Sequence, residues 1–363
     1  MNSFTFVGNT LKTETLHRFA SGIKRVMEAS GYRYVPERER DVQLVVNFVD
    51  PEHPRHYRRQ GKGTFVVAVT ENDVATDNIL HTAYPILIRS LGNMMIYLDR
   101  SAQPFPDAYF ITLEQGCYPV LYRQDEAEFF RRVFERLEPL ASSRLVIDNT
   151  FYPDLPQSLW EGDDVTKSIH EAGKKLEEMN LLPAPFPIEE LLPARDLRHI
   201  KRLYGIGGLS YGNLSARREG SQFWMSASGV DKGNLREIGR DILLIKGFDE
   251  KKPAIEISVP EPVEPRRASV DAIEHWMIYT EHPEVGAIVH IHAWMDGVPS
   301  TEINYPCGTV QLAEAVAEQI RQADDPARAV VGLKNHGLTI TGRNLDDIFE
   351  RIEGRVLPRV PME

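Results

Sequence analysis

The apolar run Gly286-Ala-Ile-Val-His-Ile-His-Ala293 constrains this chain more than any other stretch. It reads as a buried β-strand, in which side chains at i and i+2 share a face. His290 and His292 then present their imidazoles to one side, while Val289, Ile291 and Ala293 face the other way into a core. A loop histidine from elsewhere can complete such a pair, and Asn335-His336-Gly337 offers one. Three neutral imidazoles with a further position open, or filled by a carboxylate, is the ligand set of a catalytic zinc-type ion. With 11 histidines in the chain, a His-x-His pair also arises by chance as two ordinary strand residues. The flanking sequence therefore has to carry part of the argument.

At 363 residues the chain is long for one core and implies two domains. A net charge of −11 argues against nucleic acid or an anionic membrane as the main partner, because both demand clustered Lys and Arg. The basic cluster from Arg55 to Lys62 reads as a solvated loop. No stretch resembles a signal peptide, and none approaches the ~20 apolar residues of a membrane span. Cys117 and Cys307 lie far apart and outside any Cys-x-x-Cys pattern. Both then read as plain core or loop residues of a reduced, cytoplasmic protein.

Residues 1–145 alternate helical and strand periods and predict a separate α/β or α+β domain. Helical spacing runs from Leu16 to Met27, over Asp77 to Leu91 with Pro85 as a kink or restart, and along the Phe129, Phe130, Val133, Phe134, Leu137 stripe. Strands are predicted at Val42–Phe48, Thr64–Val69, Met94–Leu98, Tyr109–Leu113 and Val120–Tyr122. No phosphate-cradling glycine loop, nucleophile elbow or metal spacing occurs here, so the role of this domain is not legible. Residues 146–163, with Pro153 and Pro156, read as a linker. The second domain, 164–363, opens on a helix to about Asn180, followed by a helix over 189–203 and then short strands and turns. Helices at Ser269–Glu281 and Val310–Gln322, a strand at Ala329–Leu333 and a last helix from Leu345 follow.

Five blocks of this half occur in a telling order: Gly212-Asn213-Leu214-Ser215-Ala-Arg217, Ser226-Ala-Ser228-Gly229, Ser269-Val-Asp271 with His275 beyond it, His290-Ile-His292, and Asn335-His336-Gly337. Their order and spacing resemble the class II aldolase/adducin family over about residues 164–353. The resemblance implies an α/β/α domain with a mixed, largely antiparallel sheet. It also implies a divalent metal on His290, His292 and His336, with zinc the best match to three imidazoles and Mn, Fe, Co or Ni compatible with them. Gly212, Asn213, Ser228 and Gly229 put small hydroxyls and backbone N–H groups on turns, where an anion can approach, although tight turns alone also use these residues. The resemblance makes them, with Ser269, the anchor of a sugar phosphate.

Asp271 falls where the family carries a carboxylate that ligates the metal or moves a proton; a helix-start aspartate offsetting the macrodipole is the plainer alternative. The implied activity is a lyase or epimerase reaction on a sugar phosphate or related hydroxy-carbonyl compound. Retro-aldol cleavage, 4-epimerisation or dehydration would pass through a metal-stabilised enediolate in a homo-oligomer. Departures stand beside it: Ala268 and Val270 replace the family's proline and second serine, and no tyrosine follows Tyr305 where the family uses one near its C-terminus. A non-catalytic adducin-like scaffold and a metal-containing ligand sensor are the alternatives. Three retained histidines favour the enzyme.

Overall fold

Leu44-Val-Val-Asn-Phe48, Phe65-Val-Val-Ala-Val69 and Met94-Met-Ile-Tyr-Leu98 are apolar on both faces, as strands covered on both sides must be. The computed structural model describes residues 2–8, 13–36, 42–61, 63–101, 105–113, 116–182, 192–198 and 211–362. They divide into two compact units. The first lies within 1–143, with short pieces at 189–196 and 362–363; the second comprises 144–188 and 197–361.

In the first unit, strands β1 (Ser3–Val7), β2 (Arg33–Tyr34), β3 (Leu44–Phe48), β4 (Phe65–Asn72), β5 (Met94–Asp99), β6 (Asp107–Thr112) and β7 (Cys117–Val120) form one sheet in the order β2-β1-β3-β4-β5-β6-β7. The pairings from β2 to β5 are parallel, and β6 and β7 add antiparallel. Helices α1 (Glu14–Ala29), α2 (Ile79–Ser90) and α3 (Glu126–Ser142) complete it. Phe19 of α1 meets Phe130 of α3 at 5.7 Å between ring centroids. Sequence reasoning missed β1 and set β7 too late. Pro85 does not break α2, which starts on an Asn78 cap and continues through the proline to Ser90.

The second unit holds β8 (Asp148–Tyr152), α4 (Asp164–Glu178), β9 (Asn213–Glu219), β10 (Gln222–Ser226), β11 (Ile242–Asp249), β12 (Ala254–Ser258), α5 (Ala272–Glu281), β13 (Ala287–Ile291), α6 (Val310–Arg321), β14 (Val330–Leu333), β15 (Gly337–Gly342) and α7 (Leu345–Ile352). The sheet order is β14-β15-β13-β9-β10-β11-β12-β8. Every pairing is antiparallel except that of β8 with β12. Helices α4 and α7 pack on the face carrying Ala216, Trp224 and Val289, while α5 lies against the face of Ser215, Phe223 and His290 and packs on α6. This is the mixed, largely antiparallel α/β/α arrangement.

The stretch 146–163 is not a linker. Its β8 pairs in parallel register with β12, and Val146, Leu155 and Leu159 are buried in the second unit's core. Pro153 and Pro156 follow the strand, where they end it without costing it a ladder bond. Of the helix expected over 189–203, residues 194–198 are helical, and 189–191 and 199–203 lie outside the described residues. Helix α5 starts at Ala272, three residues later than expected, so Ser269 precedes it in a turn closed by Ala272 N–H donating to the Ser269 carbonyl.

Candidate metal centre

Strand β13 runs between β9 and β15, so its backbone is hydrogen-bonded on both sides and its side chains are fixed in direction. His290 lies directly opposite Asn213 on β9 and Thr339 on β15, and all three share the α5 face. Two glycines allow this close assembly. A Cβ on Gly212, which has φ +70°, would sit 2.3 Å from the His290 carbonyl oxygen, and one on Gly337 would sit 2.2 Å from that of Ile291. Asn335, at φ 58°, turns the chain through the left-handed region and returns His336 over the end of β13. Sequence alone had placed His292 within the strand; it is the first residue past it.

The ligand-type nitrogens of His290, His292 and His336 all lie within 4.8 Å of one another. His290 and His336 stack with ring planes 10° apart, and their Nε2 atoms are 3.0 Å from each other. The His290 Nδ1 donates to the Leu338 carbonyl at 3.0 Å, which leaves its Nε2 as the lone-pair nitrogen facing His336. His292 keeps a buried Nδ1 with no hydrogen-bond partner among the described residues. Burial pushes His290 down to about 4, and burial and then the neighbouring His336 and His290 hold His292 well below its usual value. Clustered imidazoles, His290 and His292 held neutral and one ring nitrogen orphaned, are a donor set that fits a divalent cation.

Asp271 is not a member of this cluster. It takes the residue before α5 yet caps nothing, and its Oδ2 accepts instead from Asn213 Nδ2 at 2.7 Å. Since Asn213 is the register neighbour of His290, the carboxylate lies on the histidine face of the sheet. The same Asn213 amide donates to Ser269 Oγ at 3.1 Å. The Ser228 backbone N–H donates to the Arg267 carbonyl, and Ala227 bridges Ala268, which brings Ser228 and Gly229 alongside the segment leading to Ser269. Gly212, Asn213, Ser228, Gly229 and Ser269 are thus one neighbourhood rather than scattered turns. His275 packs: its ring Nδ1 pairs with Ser215 Oγ at 2.8 Å, which also meets Tyr279 Oη at 2.8 Å.

Three further side chains escaped sequence reasoning. Lys232 is 3% exposed, and its ammonium is near enough to feel Asp271 and to depress both His290 and His292. Burial pushes it down to about 8 against the pull of Asp271 and Asp231. Glu274, one turn after Asp271, accepts from Thr339 Oγ1 at 2.6 Å, and burial followed by the Asp271 charge raises its carboxyl well above the usual range. Cys307, read from sequence as a plain core or loop residue, lies 3.4 and 3.5 Å from the two ring nitrogens of His336. The only available signals were i, i+3 spacing for Glu274 and a place near Gly308 for Cys307. Neither distinguishes a buried group from a solvated one.

Residues 197–301 and 295–354 match the family of the class II aldolase and adducin N-terminal domain. The C-terminal half of this chain is a class II aldolase/adducin domain. Among its relatives, a methylthioribulose-1-phosphate dehydratase of Citrobacter koseri is 26% identical over a 172-residue alignment that covers 39% of this chain and 78% of that protein. An L-fuculose phosphate aldolase of Methanocaldococcus jannaschii is 28% identical over a 171-residue alignment that covers 42% of this chain and 82% of that one. A solved L-fuculose-1-phosphate aldolase from Thermus thermophilus is 19% identical with a TM-score of 0.33, covering 51% of this chain and 86% of that chain.

Proposed function

We propose that the second unit is a metal-dependent lyase or epimerase-type enzyme, active as a homo-oligomer, whose substrate is a sugar phosphate or a related hydroxy-carbonyl compound. The observation that carries this reading is the cluster of three imidazoles around a common point. His290, His292 and His336 would hold the ion, zinc foremost. When bound, a divalent cation supplies a Lewis acid that stabilises negative charge developing on a substrate carbonyl oxygen.

The chain's own residues supply the rest. His290 keeps its donor nitrogen free of a proton because Nδ1–H is committed to Leu338. Asp271, oriented by Asn213, serves as the group that removes or returns a proton at the carbon or hydroxyl beside the carbonyl. Gly212, Asn213, Ser228, Gly229 and Ser269 receive the phosphate, and Lys232 adds positive charge close by. Retro-aldol cleavage, 4-epimerisation and dehydration all need these elements, and the relatives named as a dehydratase and an aldolase lie within that set.

A scaffold with no catalytic duty has no use for buried imidazoles kept neutral, which favours the enzyme over an adducin-like module. The direct test is a turnover screen of the zinc-loaded protein over pentulose, hexulose and methylthio-pentulose phosphates and their dephosphorylated forms. Cleavage, epimerisation or loss of water from a phosphorylated member is expected. Tight substrate binding without turnover would favour the ligand sensor instead.

A further inference from the structure

We propose that Asp271 and Glu274 form a carboxyl pair that shares one proton, held on Glu274, so that Asp271 stands ionised beside His290. The inference rests on the reading of Asp271 as the proton-moving group and adds Glu274 as the positioning residue behind it. Asp271 is the residue before α5 and Glu274 lies three positions on, the spacing at which two side chains can close a reciprocal cap on a helix start. Neither does so here. Asp271 makes no side-chain cap bond, and its Oδ2 accepts from Asn213 Nδ2 at 2.7 Å; Glu274 Oε1 accepts from Thr339 Oγ1 at 2.6 Å. Asn213 and Thr339 are the two register neighbours of His290, on β9 and β15. The two carboxyls are thus turned away from their helix and held by the strands on either side of one imidazole.

Burial makes these two acids a pair. Asp271 is 7% exposed and Glu274 2%, and like charges one helical turn apart in a low-dielectric interior repel strongly, so one carboxyl keeps its proton. The surroundings decide which. Asp271 accepts the Asn213 amide at 2.7 Å and the Ser269 hydroxyl at 3.4 Å, and its charge pulls on the buried Lys232 ammonium. Against burial and the Asp271 charge, which raise its carboxyl above the usual range, Glu274 has the Thr339 hydroxyl. The other titratable groups on this face are His275 and His290, which pair with Ser215 and Leu338 and which burial keeps uncharged near neutral pH. Among the described residues, α6 and β11, which also pack on α5, bury no charged side chain. A proton that Asp271 takes from a substrate C–H or O–H bond, the bonding electron pair staying on the substrate, therefore arrives beside a neutral neighbour. Asp271 returns it to substrate or solvent while Glu274 keeps its own.

Infrared difference spectroscopy of the full-length, metal-free protein tests the pair without a substrate. Near neutral pH the wild type should show the C=O stretch of a buried carboxylic acid, and Glu274→Gln should lack it. Asp271→Asn should keep the band but lose it at a pH lower than the wild type does, by on the order of one pH unit, because the repelling charge is gone. Heavy-isotope carbon in the glutamate carboxyls should shift the wild-type band and the same label in aspartate should not, which assigns the proton even where a variant fails to fold. No acid band in the wild type, a band that survives in Glu274→Gln, or one that shifts with labelled aspartate overturns the proposal. An unchanged midpoint in Asp271→Asn contradicts the coupling of the two groups. Absence of turnover in a protein that carries the band contradicts the enzyme reading and leaves the pair standing, so the two failures are told apart.

Discussion

The two units bury different kinds of side chain. In the first, the buried polar residues among those described are Ser, Thr and Asn, such as Thr5, Asn47 and Thr64, none of which carries charge. In the second, Lys232, Asp271, Glu274, His275, His282 and His290 are all buried. Removing an ionisable group from water costs several kcal/mol unless it is paired, ligated or kept neutral. Among the described residues, no charged side chain of the first unit is buried. The second accepts an unfavourable interior, and all but His282 of those six residues gather around β13 and α5. A functional site is thereby separated from a merely well-packed core.

Acid should expose this difference most strongly. Buried His290 and His275 hold their pKa values at about 4 and about 3, below the ~6.5 of an unfolded histidine. The unfolded state therefore binds protons first, so the metal-free protein keeps this stability above about pH 6.5 and loses it as pH falls toward 4 and below. Denaturant titrations from pH 7 to pH 4 should show the second unit melting out earlier. Equal acid sensitivity of the two units would erase the comparison.

Next in size is the packing of the first unit. Phe19→Ala should cost about 3–5 kcal/mol of stability, measured by denaturant unfolding, because it empties the α1–α3 contact. The folded protein should retain its metal stoichiometry. Asp271→Asn should have the opposite profile. Turnover should fall by roughly 10²-fold or more with metal retained and stability changed by under about 1 kcal/mol. Full activity in that variant would return Asp271 to a helix-end role.

A further effect is expected from Glu274→Gln. The native carboxyl holds its proton up to about pH 8, against an unfolded value near 4.5, so metal-free wild-type protein loses stability as pH rises through that window. The amide cannot ionise and can still accept from Thr339. The variant should match the wild type near pH 5 and exceed it at pH 9 in thermal melts; a variant less stable at pH 9 would contradict burial as the cause of the shift.

What was legible follows from where each signal lives. His290 and His292 were readable because period-two alternation is local, and His336 because Asn335-His336-Gly337 is a turn signature. The continuous apolar runs gave β3, β4 and β5 within a few residues. β8 was hidden because an edge strand of five residues, followed by proline, carries no stronger pattern than a linker does. Lys232, Glu274 and Cys307 were hidden for a different reason. A charged or thiol side chain looks the same in sequence whether solvated or buried, and only the packing of α5 and the turn before α6 reveals which. The Asn213–Asp271 hydrogen bond spans 58 residues and is likewise a product of tertiary structure.

The central claim is that His290, His292 and His336 form one metal site. Elemental analysis of the protein purified without chelator tests it most directly, beside the single alanine variants of the three residues. We predict one divalent ion per wild-type chain and loss of that ion from each variant while the fold persists. A wild-type chain free of metal after zinc reconstitution, or variants that keep the full complement, would contradict the account.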